Sequence, residues 1–155
     1  MRRFAALLVV MLALPANGCM MKPRHLAYPQ GVMFEGWHNP NFESCQWQRD
    51  ANNPQPCPIV VHLPTGDLGE KELSDVNALK RAGWTENGPS GLMFRGNPPL
   101  VVCGYDRGVL VAVTVDALPG NGGGPGVVSV NGKKVTLPAT DEQITQALGP
   151  PLRRD

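Results

Sequence analysis

Residues Leu100 to Asp116 read LVVCGYDRGVLVAVTVD and form the most apolar run downstream of the N-terminal segment. Val101, Val102, Val109, Val111, Val113, Thr114 and Val115 are β-branched, and such side chains suit a pleated, half-buried surface. Tyr105 to Gly108 interrupts them with a polar turn whose glycine tolerates positive φ. The pattern predicts two antiparallel strands joined by a short loop. In the second, Val109, Val111, Val113 and Val115 fall on one face and Leu110, Ala112 and Thr114 on the other. A strand apolar on both sides belongs at the centre of its sheet. The fold class expected around it is α+β: a small antiparallel sheet with one helix packed on it, plus a C-terminal β-hairpin and short helix.

The chain has 155 residues, 42% of them apolar, with 18 Gly and 16 Pro, so one domain-sized unit with a small core and much irregular backbone is expected. Removing residues 1–18 takes Arg2 and Arg3 from the 14 basic residues, leaving 12 against 13 acidic ones, a formal charge of −1. That balance gives no reason to expect nucleic acid or an anionic membrane surface as the main partner.

Arg2 and Arg3 precede the apolar stretch Phe4 to Leu14, too short to span a bilayer, and Pro15 to Gly18 supplies a small-residue cleavage region. This is the layout of a bacterial export signal. The residues Ala16-Asn17-Gly18-Cys19 resemble the lipobox of bacterial lipoproteins: Gly18 and Cys19 match, and Ala16 stands where Leu is usual. The resemblance implies a diacylglycerol on the Cys19 thiol and an acylated amine, which together anchor a chain far more firmly than one acyl group does. Met20 rather than Asp after the Cys implies the periplasmic face of the outer membrane. Ordinary cleavage after Gly18, with a soluble periplasmic or secreted product, is the alternative, since Ala16 and Gly18 also form a small-x-small site.

From residue 19 to 55 the sequence is polar and broken by Pro23, Pro29, Gly31, Gly36 and Pro40, which reads as a tether with a short strand at Val32 to Trp37. Trp37, Phe42 and Trp47 are more aromatic bulk than a free linker carries, so part of it is expected to lie against the folded domain. Cys45 and Cys57 flank a Pro- and Asn-rich loop, and export favours a disulfide between them, with Cys103 left as a buried thiol. A Cys57 to Cys103 bridge satisfies the same spacing. His38, Cys45, Cys57 and His62 can be written as a zinc set, but their gaps are irregular and contain no tight pair, so neither metal nor cofactor is expected.

Pro58 to Leu63 reads as a strand. A helix follows, capped by Asp67 with Glu70 three residues on, stabilised by the Lys71–Asp75 spacing and stopped at Gly83. Trp84 opens a strand, Asn87 to Gly91 reverses the chain, and Leu92 to Arg95 returns. Leu118 to Gly126, LPGNGGGPG, is a linker without a phosphate-binding Gly-Lys-Ser/Thr. Asn131-Gly132 marks a hairpin with Val128, Val130 and Val135 on one face. Thr140 and Gln143 then open a helix that Gly149-Pro150-Pro151 stops. The organisation expected is 1–18 signal peptide, 19–55 lipidated Cys19 and tether, 56–118 α+β domain, 119–126 linker and 127–155 hairpin-helix segment. The run VNGKKVTLPATDEQITQALGPP, from Val130 to Pro151, resembles a segment of small bacterial envelope and secretion-associated domains, and its helix stop is similar to that of BamE-like outer-membrane assembly lipoproteins.

No motif names a reaction. A nucleophilic site would have to draw on His62, Asp106 and Cys103 or Ser90, and a Cys inside an apolar strand has a raised pKa and little access. The functional expectation is a non-enzymatic envelope lipoprotein that binds the bilayer through acylated Cys19 and an envelope protein through its folded surface. An immunity or inhibitor protein against a periplasmic toxin or hydrolase is the alternative. Tyr105, Asp106 and Arg107 are the expected contact residues, because Tyr and Arg are enriched at interface hot spots.

Overall fold

The structure, a computed structural model, describes residues 22–38, 40–95, 99–118 and 124–155. The expected export signal, Cys19 and residues 119–123 of the Gly-rich stretch lie outside the described residues.

The quoted run folds as expected into β9 (Leu100–Asp106) and β10 (Val109–Asp116), paired antiparallel. Arg107 and Gly108 both take positive φ, 51° and 78°, the geometry of a two-residue turn that follows the right-handed twist of its strands. The expected alternation of β10 is broken at one point. Leu110 stands opposite Tyr105 and Ala112 opposite Gly104, so Val111 is an extra residue in the ladder. A one-residue bulge reverses which way the side chains point. Leu110 therefore joins Val113 and Val115 in the core, and Val109 is 53% exposed.

β10 is central. It lies between β9 and β4 (Ser44–Gln48) in an antiparallel sheet of eight strands. Beyond β9 come β8 (Gly91–Arg95) and β7 (Thr85–Glu86), and beyond β4 come β2 (Val32–Gly36), β1 (Arg24–Ala27) and the terminal β14 (Arg153–Arg154). The segment expected to be a tether thus supplies three of the eight strands of the principal sheet, β1, β2 and β4. Pro29, Gly31 and Pro40 sit at turns between its strands, and Gly36 ends β2. Pro29–Gly31 is a tight 3-10 turn between β1 and β2, and Gly31 has φ 79° with the Gln48 carbonyl oxygen 2.4 Å from where a Cβ would stand. Leu26, Val32, Phe34, Cys45 and Trp47 all face the core.

A second antiparallel sheet has the order β12 (Lys133–Leu137), β11 (Gly126–Val130), β5 (Ile59–Leu63), β6 (Gly66–Leu68). β3 (Asn41–Phe42) and β13 (Ala139–Thr140) pair separately. Because β11 lies against β5, residues 127–155 share a sheet with the preceding segment instead of forming a separate one. Buried side chains of both sheets, including Phe34, Val101 and Val113 from one and Ile59, Val61 and Val128 from the other, belong to one continuous core. Each such side chain contributes about 1.5–3 kcal/mol by leaving water.

The helix expected over Asp67 to Gly83 is two short ones, α1 (Glu70–Leu73) and α2 (Val76–Arg81). Asp75 breaks it with ψ 79° and caps α2 by accepting the Ala78 N–H at 3.1 Å. Asp67 belongs to β6, and the carboxylate of Glu72 caps α1 by accepting the Gly69 N–H. α1 is fastened to the sheet by the Tyr105 hydroxyl, which donates to the Leu73 carbonyl at 2.5 Å. α3 (Asp141–Leu148) is as expected: Thr140 and Gln143 cap each other's backbone N–H at 2.9 and 3.2 Å, and Ile144 is buried.

Cys45, Cys57 and Cys103 are free thiols, so the expected Cys45–Cys57 bridge is not formed in this structure. Cys45 stands opposite Val115 and Cys103 opposite Val113 on the two strands flanking β10. Two strand spacings amount to about 9–10 Å, beyond what one disulfide spans. The Cys57 S–H donates instead to the Ile59 carbonyl at 3.7 Å. Burial pushes all three thiols up: Cys57 to about 11, Cys103 to about 12, and Cys45 further still. In reduced native protein, maleimide mass labelling at pH 8 should therefore modify Cys57 first and leave Cys45 and Cys103 intact. The Cys57 rate should climb about tenfold per pH unit up to its pKa, as its thiolate fraction does. Uniform labelling of the three would contradict the burial described.

The C-terminus is clipped down by Arg154, whose Nε and Nη2 donate to the two carboxylate oxygens of Asp141 at 3.1 and 3.0 Å. Those bonds hold the Asp141 carboxyl below the usual carboxylate range. With the folded pKa below the unfolded one, the stabilisation is present above the usual carboxylate pKa and is lost as pH falls through the folded value. Hydrogen exchange of the Leu152 and Asp155 amides, which bond to the Ala27 and His25 carbonyls, should accelerate in acid relative to the β9–β10 amides, and Asp141→Asn should produce the same loosening at pH 7.

Candidate functional site: a groove on the open sheet face

One face of the eight-stranded sheet carries the core, and strand alternation sends the other set of side chains away from it. Cross-strand register arranges these in rows. His25, Glu35, Ser44 and Asp116 form one, Ala27, Met33, Gln46 and Thr114 the next, and Gln48 with Ala112 a third. Two concavities lie on this face, of about 480 and 350 Å³. Gln46 and Thr114 line both, so the two adjoin along the sheet face. These volumes fall within the range of about 300–1,000 Å³ typical of ligand sites.

The groove differs in chemistry between its ends. At the end near Tyr28 it meets Arg49, a strut whose Nε donates to the Leu110 carbonyl at 2.9 Å, whose Nη1 donates to the Gln55 carbonyl at 2.8 Å, and whose Nη2 pairs with Glu70. At the other end stand Glu35, Glu43, Asp116 and Trp37. Glu43 is 4% exposed and organises the β2–β3 loop by accepting the N–H groups of Trp37 at 2.8 Å and His38 at 3.1 Å. Glu35 accepts from the Trp37 indole Nε1 at 2.7 Å and faces His25 Nε2 at 3.2 Å. Trp37 is thus 40% exposed yet fixed in orientation.

Two of the expected contact residues, Tyr105 and Arg107, adjoin one depression although their exposure differs. Tyr105 is buried, and burial pushes its phenol up. Asp106 and Arg107 are exposed at the hairpin tip, with Arg107 Nε 3.9 Å from Asp106 Oδ1. Tyr105 and Arg107 both border this depression of about 330 Å³, separate from the groove, with Lys80 and Gly88 to Leu92. Residues of the hypothetical zinc set are engaged elsewhere, His38 Nδ1 with Glu43 and His62 with two partners on its own sheet. Among the described residues no group of three His, Cys, Asp or Glu is arranged to hold a metal ion.

His62 shows a constellation that its sequence position does not reveal. Its Nδ1 lies 2.7 Å from Asp67 Oδ1 and its Nε2 2.5 Å from Ser129 Oγ, the connectivity of a nucleophile, base and orienter. The surroundings do not support that chemistry. Ser129 is 4% exposed in the middle of β11, whose backbone pairs on both sides with β5 and β12, so the ladder occupies the N–H groups that an oxyanion would need. Asp67, the orienting group in such a triad, has a side chain 67% exposed, and none of the concavities above is lined by these three residues. The chain is a cross-strand polar contact of the small sheet.

No family model matches this chain, and neither a curated protein nor a solved structure matches it. Replacing Ser129 by Ala should lower unfolding stability by about 1 kcal/mol, the worth of one side-chain hydrogen bond, as read by urea denaturation. A fluorophosphonate probe should leave the native protein unlabelled. Labelling lost in Ser129→Ala would instead make this a working nucleophile.

Proposed function

We propose that the protein is a lipid-anchored component of a bacterial cell envelope that binds another envelope protein on the open face of its large sheet and catalyses no reaction. The observation that carries the binding role is the pair of adjoining concavities that share Gln46 and Thr114, neither of which is lined by an α-helical residue. The export signal and the lipobox-like Ala16 to Cys19 support the location. An anchor at Cys19 precedes β1 by only a few residues, so a chain so held keeps its folded unit close to the bilayer, where a side-facing sheet can meet membrane-associated partners.

The test combines the two halves of the reading in cells. Intact mass of the membrane-extracted protein should show processing at Cys19 and fatty acylation, both abolished by Cys19→Ala. A photo-crosslinking residue at Gln46 should give a discrete protein adduct that the same residue at Glu142, on exposed α3, does not. An unacylated chain in the soluble fraction overturns the anchor. Equal adducts from both positions overturn the groove as the binding face.

A further inference from the structure

The chain enters the large sheet beside an exposed tryptophan. Four residues separate Cys19 from Arg24, where β1 begins, and Arg24 stands opposite Gly36, the residue before Trp37. The Arg24 guanidinium fastens this entry to the loop after β2. Its Nη2 donates to the His38 carbonyl at 3.1 Å and to the Asn41 carbonyl at 2.7 Å, and the group lies over the Phe42 ring, 4.6 Å from its centroid. Among the described residues three large apolar side chains are exposed, Trp37, Val109 and Leu152. Antiparallel register gathers Arg24, Gly36, Ser44 and Asp116 at one end of the sheet. Val109 and Leu152 belong to the other end, Val109 at the β9–β10 tip and Leu152 bonded through its N–H to the carbonyl of Ala27, the last residue of β1. Of the three, Trp37 alone stands where the chain enters.

Tryptophan gathers at the headgroup layer of bilayers because its ring is apolar while its indole N–H keeps a polar partner. The Trp37 N–H already donates to Glu35 at 2.7 Å, so no donor is left unsatisfied when the ring leaves water. Glu35 and Glu43 lie beside it, but both are largely buried and engaged within the fold, by His25 and by the backbone N–H groups of Trp37 and His38. We infer that the end of the large sheet bearing Trp37 rests on the membrane, with the Trp37 ring in the headgroup layer and the β9–β10 tip directed away from it. The inference rests on the anchor at Cys19 proposed above and adds the orientation in which that anchor holds the fold. From Cys19 to Arg24 the chain spans at most about 18 Å, so Trp37 stays within reach of the surface. Val109 and Asp116 are the two ends of β10, which sets the hairpin tip about 20 Å farther out. A headgroup layer is only about 5–8 Å thick. In this orientation the 480 Å³ concavity faces away from the bilayer, open to a protein.

The test is fluorescence of the full chain, extracted with its acyl groups and reconstituted in phosphatidylcholine vesicles whose chains are brominated close to the headgroup. Trp37 is read as the difference between the unsubstituted protein and Trp37→Phe, while the buried Trp47 and Trp84 report an intact fold in both. Compared with unbrominated vesicles, the Trp37 emission should lose most of its intensity, and aqueous acrylamide should quench it little. In Trp37→Phe/Val109→Trp the indole moved to the hairpin tip should keep its emission in brominated vesicles and be open to acrylamide. Intact mass is measured on the same samples. An acylated chain whose Trp37 is unquenched by bromine and open to acrylamide overturns the inference, leaves the anchor standing and frees this end of the sheet for a protein. Equal bromine quenching at Trp37 and at the Val109→Trp indole overturns it as well, because the fold then has no fixed orientation. An unacylated chain overturns the anchor and the inference together.

Discussion

Pairing of β10 along both of its edges is the constraint on which the rest of the structure depends. Its contacts with β9 are local and close through a two-residue turn, whereas its contacts with β4 join residues more than sixty positions apart. Once β4 is seated, β2 and β1 follow through short turns, and most of residues 24–48 becomes sheet. The bulge at Val111 is part of this arrangement. Without it Val113 and Val115 would share a face with Val109, now exposed at the hairpin tip, and Leu110 would be turned out of the core. The cost of an extra unpaired residue is offset by burial of Leu110, 1% exposed, which packs in the same layer as Val113.

How much of this was legible in the residues varies with how local the cause is. The β9–β10 and β11–β12 hairpins and the Thr140 cap are written in neighbouring positions, by Arg107-Gly108, Asn131-Gly132 and the Thr140–Gln143 spacing, and all three are found. Strands β1 to β4 carry equally clear alternation in hindsight: Val32-Met33-Phe34-Glu35-Gly36 and Ser44-Cys45-Gln46-Trp47-Gln48 each place alternate residues in the core. They are short, most of their outward positions are polar, and Pro29, Gly31 and Pro40 sit at turns between them, so the composition resembles a tether. What turns such segments into a sheet is pairing with distant β10, a long-range fact that no window of residues contains. The single helix expected over Asp67 to Gly83 gives way to two for the opposite reason. Its capping signals are genuine but there are two sets of them, and Asp75 serves as a cap rather than as an interior partner of Lys71.

Polar residues in the two sheets have different fates, and this separates structure from candidate function. On the small sheet His62, Asp67 and Ser129 satisfy one another across three strands, leaving a closed set with a buried serine and no adjoining concavity. On the large sheet Glu35 and Glu43 are also bonded, but what they hold in place is an exposed indole at the rim of a groove. Hydrogen bonds that end within the core stabilise. Hydrogen bonds that fix the orientation of a surface group prepare it for contact, because the conformational entropy of that group is already spent before a partner arrives. The groove was invisible in the sequence for the same reason as the strands beneath it, since Glu35, Gln46 and Asp116 become neighbours only through the register of β2, β4 and β10.

The edges of the two sheets argue further that the open face, and not an edge, is the surface of interest. A partner that adds a strand needs a long edge with free backbone groups. The outermost strands of the large sheet, β14 and β7, are two residues each, and β12 at one edge of the small sheet opens on Lys133 and Lys134, charges of the kind that discourage edge pairing. With edges short or charged, and with the interior strands fully laddered, any specific contact has to be made by side chains standing on a rigid surface. A face built in this way binds through shape and charge rather than through backbone register. Its selectivity then falls to the few large or charged groups, Trp37 and the carboxylates beside it at one end and Arg49 and Asp50 at the other.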